Sequence, residues 1–175
     1  MQVTICTANC VGQAGNCSYP NKVTVVTPEQ LQEAVKKDHV CAEFKGNYRS
    51  IENFIRSDVI VMDIDNDHTE VPADWITAEK LEELFPNVEY LLAPSRHHLL
   101  DKEGKSARPR YHMYFPISEI TDASRYANLK KAIQSAYAFF DGNALDAARF
   151  IFGAECEEVI FHEGWMMVDE EVEIS

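Results

Sequence analysis

Long apolar runs are missing from this 175-residue chain. None approaches the roughly 20 residues needed to cross a bilayer, and Met1 to Cys10 lacks the basic start and extended apolar stretch of a secretory signal. These absences point to a cytoplasmic protein with no membrane partner. Cysteines are few: Cys6, Cys10, Cys17, Cys41 and Cys156 form an odd count at irregular spacing. That pattern argues against a disulfide framework and for a reducing compartment. Cys6, Cys10 and Cys17 stand near one another in sequence, but no CxxC pair or nearby His completes the set, so no zinc is expected. No internal repeat, low-complexity tract or Pro/Gly-rich linker divides the chain, and its length suits one domain with a real core; residues 1–175 are therefore read as a single domain.

Basic residues are also scarce, 16 Lys and Arg against 29 Asp and Glu, for a formal net charge of −13. Such a balance argues against a long duplex-binding face, but the charge is unevenly spread. From Glu155 to Ser175 there are eight acidic residues and no Lys or Arg. Pro94 to His112 runs the other way, with Arg96, Lys102, Lys105, Arg108 and Arg110 against only Asp101 and Glu103, and with His97, His98 and His112 besides. One basic segment in an acidic protein suggests a local anion site.

Periodicity predicts strands and helices in alternation. Gln2 to Cys6, Lys22 to Val26 and Val40 to Phe44 read as strands. Thr27-Pro28-Glu29 reads as an N-cap with Pro at the first helical position, opening a helix to about Lys37. Ser50 to Arg56 reads as a short helix. Asp58 to Ile64 is an unbroken apolar run of the kind a central strand covered on both faces requires. Thr77 caps a helix to about Leu84. Val88 to Ala93 and Arg110 to Ile117 form a hairpin with a long basic connection. Tyr126, Leu129, Ile133, Ala136, Tyr137 and Phe140 recur at helical spacing from about Asp122 to Ala138. Short strands are expected at Val159 to Phe161 and Trp165 to Val168. The sum is an α+β or mixed α/β fold, a central, largely antiparallel or mixed sheet with packed helices.

Asp63-Ile64-Asp65 sits where the apolar strand ends and the polar stretch Asn66 to Thr69 begins. Strand alternation puts Asp63 and Asp65 on one face. Two carboxylates so close repel unless a cation lies between them, and Mg²⁺ or Mn²⁺ is the natural choice; the simpler alternative is a polar turn after a strand. The hairpin ends gather Arg96, Arg110 and His112, whose forks and imidazole suit a triphosphate. Lys102, Lys105 and Arg108 read as solvated residues of the connection, and His97 and His98 are ambiguous. In Phe140 to Phe150, Asp141 before Gly142 fits a turn and Asp146 fits a helix cap.

The three stretches VIVMDID (Val59 to Asp65), PSRHHLL with RPRYHMYFPI (Pro94 to Ile117) and FFDGNALDAARFIFG (Phe140 to Gly153) span about half the chain. Their order resembles the archaeo-eukaryotic primase superfamily, above all the primase-polymerases of phages and plasmids. The resemblance implies an RRM-like catalytic core and a DNA primase/polymerase that joins nucleotides by two-metal phosphoryl transfer with Mg²⁺ or Mn²⁺. It implies Asp63 and Asp65 as the first metal-binding motif and His112 as the histidine at the incoming nucleotide's phosphates. The third carboxylate is Asp141, eight residues before Arg149, or Asp146. Ser95, Arg96, Arg110 and Arg149 are the implied nucleotide contacts; where the superfamily has a small residue two before the histidine, this chain has Arg110. The partners implied are nucleoside triphosphates, a single-stranded DNA template or primer and a helicase domain or protein, with residues 155–175 read as an acidic segment leading toward a further domain. Two other functions fit parts of the pattern: a haloacid-dehalogenase-type phosphatase, which also carries DxD after a strand but with Gly-Thr where this chain has Asn66-Asp67, and a non-catalytic nucleotide- or DNA-binding replication-initiation module.

Overall fold

Strand β5, Phe54–Ile64, is eleven residues long and buried throughout Val59 to Ile64. Its alternation feeds two cores. Ile60, Met62 and Ile64 pack into one, while Val59 and Val61 pack into the other. The computed structural model describes residues 1–174. In it β5 pairs antiparallel with β4, Glu43–Phe44, and with β7, Tyr111–Ile120; β6, Tyr90–Pro94, lies on the far side of β7, and β9, Ile160–His162, beyond β6. The second sheet has four strands in the order β2, Asn21–Val25, β1, Val3–Thr7, β3, His39–Val40, and β8, Phe150–Ile151. All of these pairings are antiparallel.

The helices divide between the two cores. Helix α1, Pro28–Ala34, puts Leu31 and Ala34 among the residues around Val59 and Val61. Helices α2, Ala78–Leu84, α3, Ala123–Ala136, and α4, Val168–Ile174, serve the other core through Leu81, Tyr126, Ile133 and Val168. Each of the first three starts at a side-chain cap: Thr27 Oγ1 accepts from Gln30 N in a reciprocal capping box, Thr77 Oγ1 from Lys80 N, and Asp122 Oδ1 from Arg125 N.

The α+β class is as expected, with the strands shared between two sheets rather than gathered in one. Four local expectations are revised, three of them by long-range pairing. Val40 to Phe44 is two strands of two residues, one in each sheet, so this segment carries the chain from one layer to the other. Ser50 to Arg56 is no helix: a turn closes at Asn53, and pairing of Phe54 and Arg56 with Phe44 and Glu43 draws the rest into β5. Helix α1 stops at Ala34, short of Lys37. Trp165 to Val168 contributes one parallel bridge, Met166 to Val88, before α4 begins.

Polar groups tie the layers together. Asp58 on β5 accepts from Thr4 N and Thr4 Oγ1 on β1, both at 2.8 Å. His39 on β3 lies fully buried, with Nδ1 2.8 Å from the Lys37 carbonyl and Nε2 2.6 Å from the Tyr114 hydroxyl on β7. A carbonyl only accepts, so Nδ1 carries the proton and the Tyr114 hydroxyl donates to Nε2. Protonating Nε2 would oblige the hydroxyl to turn and accept, and would place a full charge out of reach of water. Burial accordingly pushes His39 down to about 4. Between about pH 6.5 and 4 the unfolded chain binds a proton that the folded ring refuses, so stability falls as pH drops through that window. Unfolding in urea should therefore lose about 2 kcal/mol between pH 7 and pH 5 through this group, and His39→Gln should remove that component of the pH dependence.

Candidate active site

The chain turns sharply just beyond β5. Asn66 adopts a left-handed backbone, φ 54°, and is held in it by its own amide, which donates to the carbonyls of Ile76 (2.9 Å) and Pro109 (2.8 Å) and accepts from Ile76 N (2.7 Å). Two arginines lock the loop from below. Arg108 is fully buried: its guanidinium donates to the carbonyls of Asn66 (2.9 Å) and Thr69 (3.2 Å), pairs with Glu70 (2.7 Å) and stacks over Trp75. The expectation that it is solvated is therefore corrected, because the loop's carbonyls need an internal donor. Arg110 is buried too, donating to the Asp65 carbonyl at 2.8 Å and pairing with Asp67 at 3.0 Å. Its side chain supports the acidic loop and is not among the residues lining the cleft, so the implied phosphate contact from Arg110 is withdrawn.

Antiparallel register sets Asp63 directly across from His112, and directly opposed residues share a face. Asp63 is 6% exposed, with Oδ2 2.7 Å from an Arg149 guanidinium nitrogen and Oδ1 3.8 Å from His112 Nε2. Burial pushes its carboxyl up, but the charges of His112 and Arg149 outweigh that and hold it below the ordinary carboxylate range. His112 is itself pushed down by burial against the pull of Asp63, so the permanently charged partner of Asp63 is Arg149. Asp65 is pushed up, first by burial and then by the charges of Asp63, Asp141 and Asp67, with Lys102 opposing. Asp141 reaches the same place from a separate segment, fixed by its backbone N–H donating to the Asp63 carbonyl at 2.9 Å.

These residues line a cleft of about 520 Å³. Asp63, Asp65 and Asp141 stand with His112, Arg149, Ser95 and Arg96. Asp146 is exposed, turned to accept from Ala148 N at 2.7 Å, and is not part of the lining. His97 borders the cleft, while His98 accepts from Arg110 N at 3.0 Å and braces the strand. Lys102, expected to be merely solvated, borders the cleft as well; Lys105 pairs with Asp67 at 3.6 Å.

The donor set fits a hard divalent cation. Its side chains are carboxylates, and Asp63 Oδ1 is buried without a hydrogen-bond partner. Among the described residues no group of three His, Cys, Asp or Glu side chains is close enough to hold a metal ion unaided. An ion in this cleft would have to complete its shell with water and substrate oxygens.

Two contributors escaped the sequence reading. Phe152 lines the cleft beneath Arg96, and its position depends on Gly153, where a Cβ would lie 2.3 Å from the Lys36 carbonyl oxygen. Lys130 on α3 is fully buried, its Nζ lacks a hydrogen-bond partner, and burial pushes it down to about 8 against the pull of Asp63. Its spacing with Tyr126 and Ile133, all on the core-facing stripe of α3, was the available signal.

No protein-family model matches the chain, and no curated protein does. Among solved structures, the chain is similar in fold to the AEP domain of the cyanophage S-2L primase-polymerase, with a TM-score of 0.53 over 99% of this chain and 87% of that one, at 14% sequence identity. The fold is thus an α+β architecture shared with a primase-polymerase domain.

Proposed function

We propose that this chain is a metal-dependent nucleotidyltransferase of the primase-polymerase kind, joining nucleotides on a DNA template in phage, plasmid or prophage replication. The observation that carries the reading is the meeting of Asp63 and Asp65, at the end of β5, with Asp141 from a separate segment, in one cleft with His112, Arg149, Ser95 and Arg96. The fold shared with a primase-polymerase domain supports it.

Asp63 and Asp65, with Asp141, would hold Mg²⁺ or Mn²⁺, and a pair of such ions when bound supplies activation of the 3′-hydroxyl and neutralisation of the departing pyrophosphate. The chain's own residues bind and orient. Arg149 keeps Asp63 ionised and, lining the cleft with its side chain partly exposed, presents the open part of its guanidinium to a phosphate oxygen. Exposed Arg96 offers a planar fork to the same triphosphate. His112 presents a neutral imidazole beside Asp63, able to donate one hydrogen bond to a phosphate without adding to the permanent charge.

A phosphatase of the haloacid-dehalogenase type needs its first Asp as a free nucleophile, whereas Asp63 is buried and engaged by Arg149. A non-catalytic module has no use for Asp65, whose burial beside Asp63 and Asp141 raises the energy of its charged form.

The Asp63→Ala, Asp65→Ala double variant should lose at least about 10²–10³-fold in metal-dependent primer extension while remaining folded. Asp141→Asn should lose activity on that scale and Asp146→Asn little, a contrast that identifies the third carboxylate. His112→Ala should raise the nucleotide KM more than it changes Mn²⁺ affinity, read by extension kinetics and metal titration. Asp65 titrates above its unfolded value, so its charged form lowers stability once pH exceeds the folded pKa. Without divalent ions at pH 7.5, Asp65→Asn should therefore melt higher than the parent, and Mn²⁺ should raise the parent's Tm more than the variant's.

A further inference from the structure

Beside the carboxylates runs a chain of arginines and phenylalanines that the catalytic reading does not need in full. Phe150, in the edge strand β8, and Phe152, just beyond it, flank the buried Ile151. Their rings meet edge to face, centroids 5.0 Å apart at 89°. The Arg49 guanidinium lies over the Phe150 ring at 4.7 Å and that of Arg149 at 5.9 Å, while Arg96 lies over Phe152 at 3.9 Å. Arg149 joins this ladder to Asp63, and Phe152 and Arg96 line the cleft itself.

The charge state of the ladder is unusual for so acidic a protein. Among the described residues, Arg49, Arg96 and Arg125 are the arginines with no ion pair to a carboxylate, although acidic side chains outnumber basic ones 29 to 16. Two of those three are stacked on this phenylalanine pair. Arg49 spends one nitrogen on the Ala148 carbonyl, 3.1 Å away, and lies beside the Tyr19 hydroxyl, neither of which neutralises its charge. Unspent guanidinium charge held flat against aromatic rings, and continuous with a polymerase-like cleft, is the combination that binds a flexible polyanion whose units carry stacking faces.

We propose that Arg49, Phe150, Phe152 and Arg96 form the track on which a single-stranded nucleic acid lies as it enters the cleft, an inference that rests on the nucleotidyltransferase reading. Arg49 takes a backbone phosphate. Bases stack on the outward face of the Arg96 guanidinium and beside the Phe152 ring. No base edge is read, so the track is indifferent to sequence.

The test measures binding of fluorescently labelled oligothymidylate by anisotropy across a range of salt concentrations, with Mn²⁺ and nucleoside triphosphate titrated separately by calorimetry. Arg49→Ala should weaken oligonucleotide binding about tenfold and reduce the slope of log affinity against log salt by about 0.7, the share of one phosphate on a single strand. Arg49→Lys should keep the slope and still bind less tightly, because the ammonium does not stack. Phe152→Leu should weaken binding with the slope unchanged. In Arg49→Ala, triphosphate affinity should stay at the parent's value and Tm should fall only by the few degrees that the lost Ala148 hydrogen bond is worth, while the salt slope changes, a split that a merely structural arginine would not give. Parental affinity and salt slope in both Arg49→Ala and Phe152→Leu would overturn the track, as would a parent protein that does not bind the oligonucleotide. A parent that binds the strand through Arg49 yet never extends a primer would overturn the polymerase reading and leave the track standing; a parent that extends primers while Arg49→Ala binds normally would do the reverse.

Discussion

The burial of Asp63 is the constraint around which the rest of the structure is arranged. Taking a carboxylate out of water costs several kcal/mol unless charge and hydrogen bonds replace the lost hydration, and Asp63 sits at 6% exposure with a second carboxylate two residues on. The compensation comes from far away in sequence: Arg149 from the segment before β8, and His112 from the paired strand. His112 needs only the pairing of β5 with β7, whereas Arg149 comes from the stretch that leads into β8 of the other sheet, so the acidic centre is complete only once both sheets are assembled. Polar contacts between the layers, Thr4 to Asp58 and His39 to Tyr114, therefore act on the site as well as on stability. Asp38 does the same on the other side, accepting from Gly12, Gln13 and Gly153 and holding the stretch that carries Arg149 and Phe152.

What was legible in the sequence follows from how local its cause is. Thr27, Thr77 and Asp122 announce their helices because a cap acts over three residues. The run Val59 to Ile64 announces a central strand because burial on both faces leaves no polar alternation. The placement of Asp63 and Asp65 beside His112 was inferable once the strands were paired. The two-residue strands β3 and β4 were not, since nothing within His39 to Phe44 signals a change of sheet. Arg108 and Arg110 were misjudged for a related reason. A basic loop next to a suspected phosphate site looks solvated or catalytic, and only the path of Asn66 to Glu70 reveals carbonyls and carboxylates waiting for internal donors.

The overall charge of −13 poses the remaining question, how so acidic a surface would receive a polyanion. Screening supplies part of the answer, because exposed charges lose most of their influence beyond about 8 Å at physiological salt. Placement supplies the rest. The acidic end of the chain is folded into the structure: β9 completes the five-stranded sheet, and α4 packs against α3 and β7. Glu155, Glu157 and Glu158 border a second cavity, of about 620 Å³, that touches the first at Ser95 and Arg96. They thus stand beside Arg96 without pairing to it. A phosphate chain arriving from that cavity meets three carboxylates, whereas one arriving along β8 meets Phe152, Phe150 and Arg49. Like charges facing each other exclude wrong geometries more effectively than they weaken the right one. Under the proposed function, the acidity that first argues against nucleic acid would guide the side from which a strand approaches.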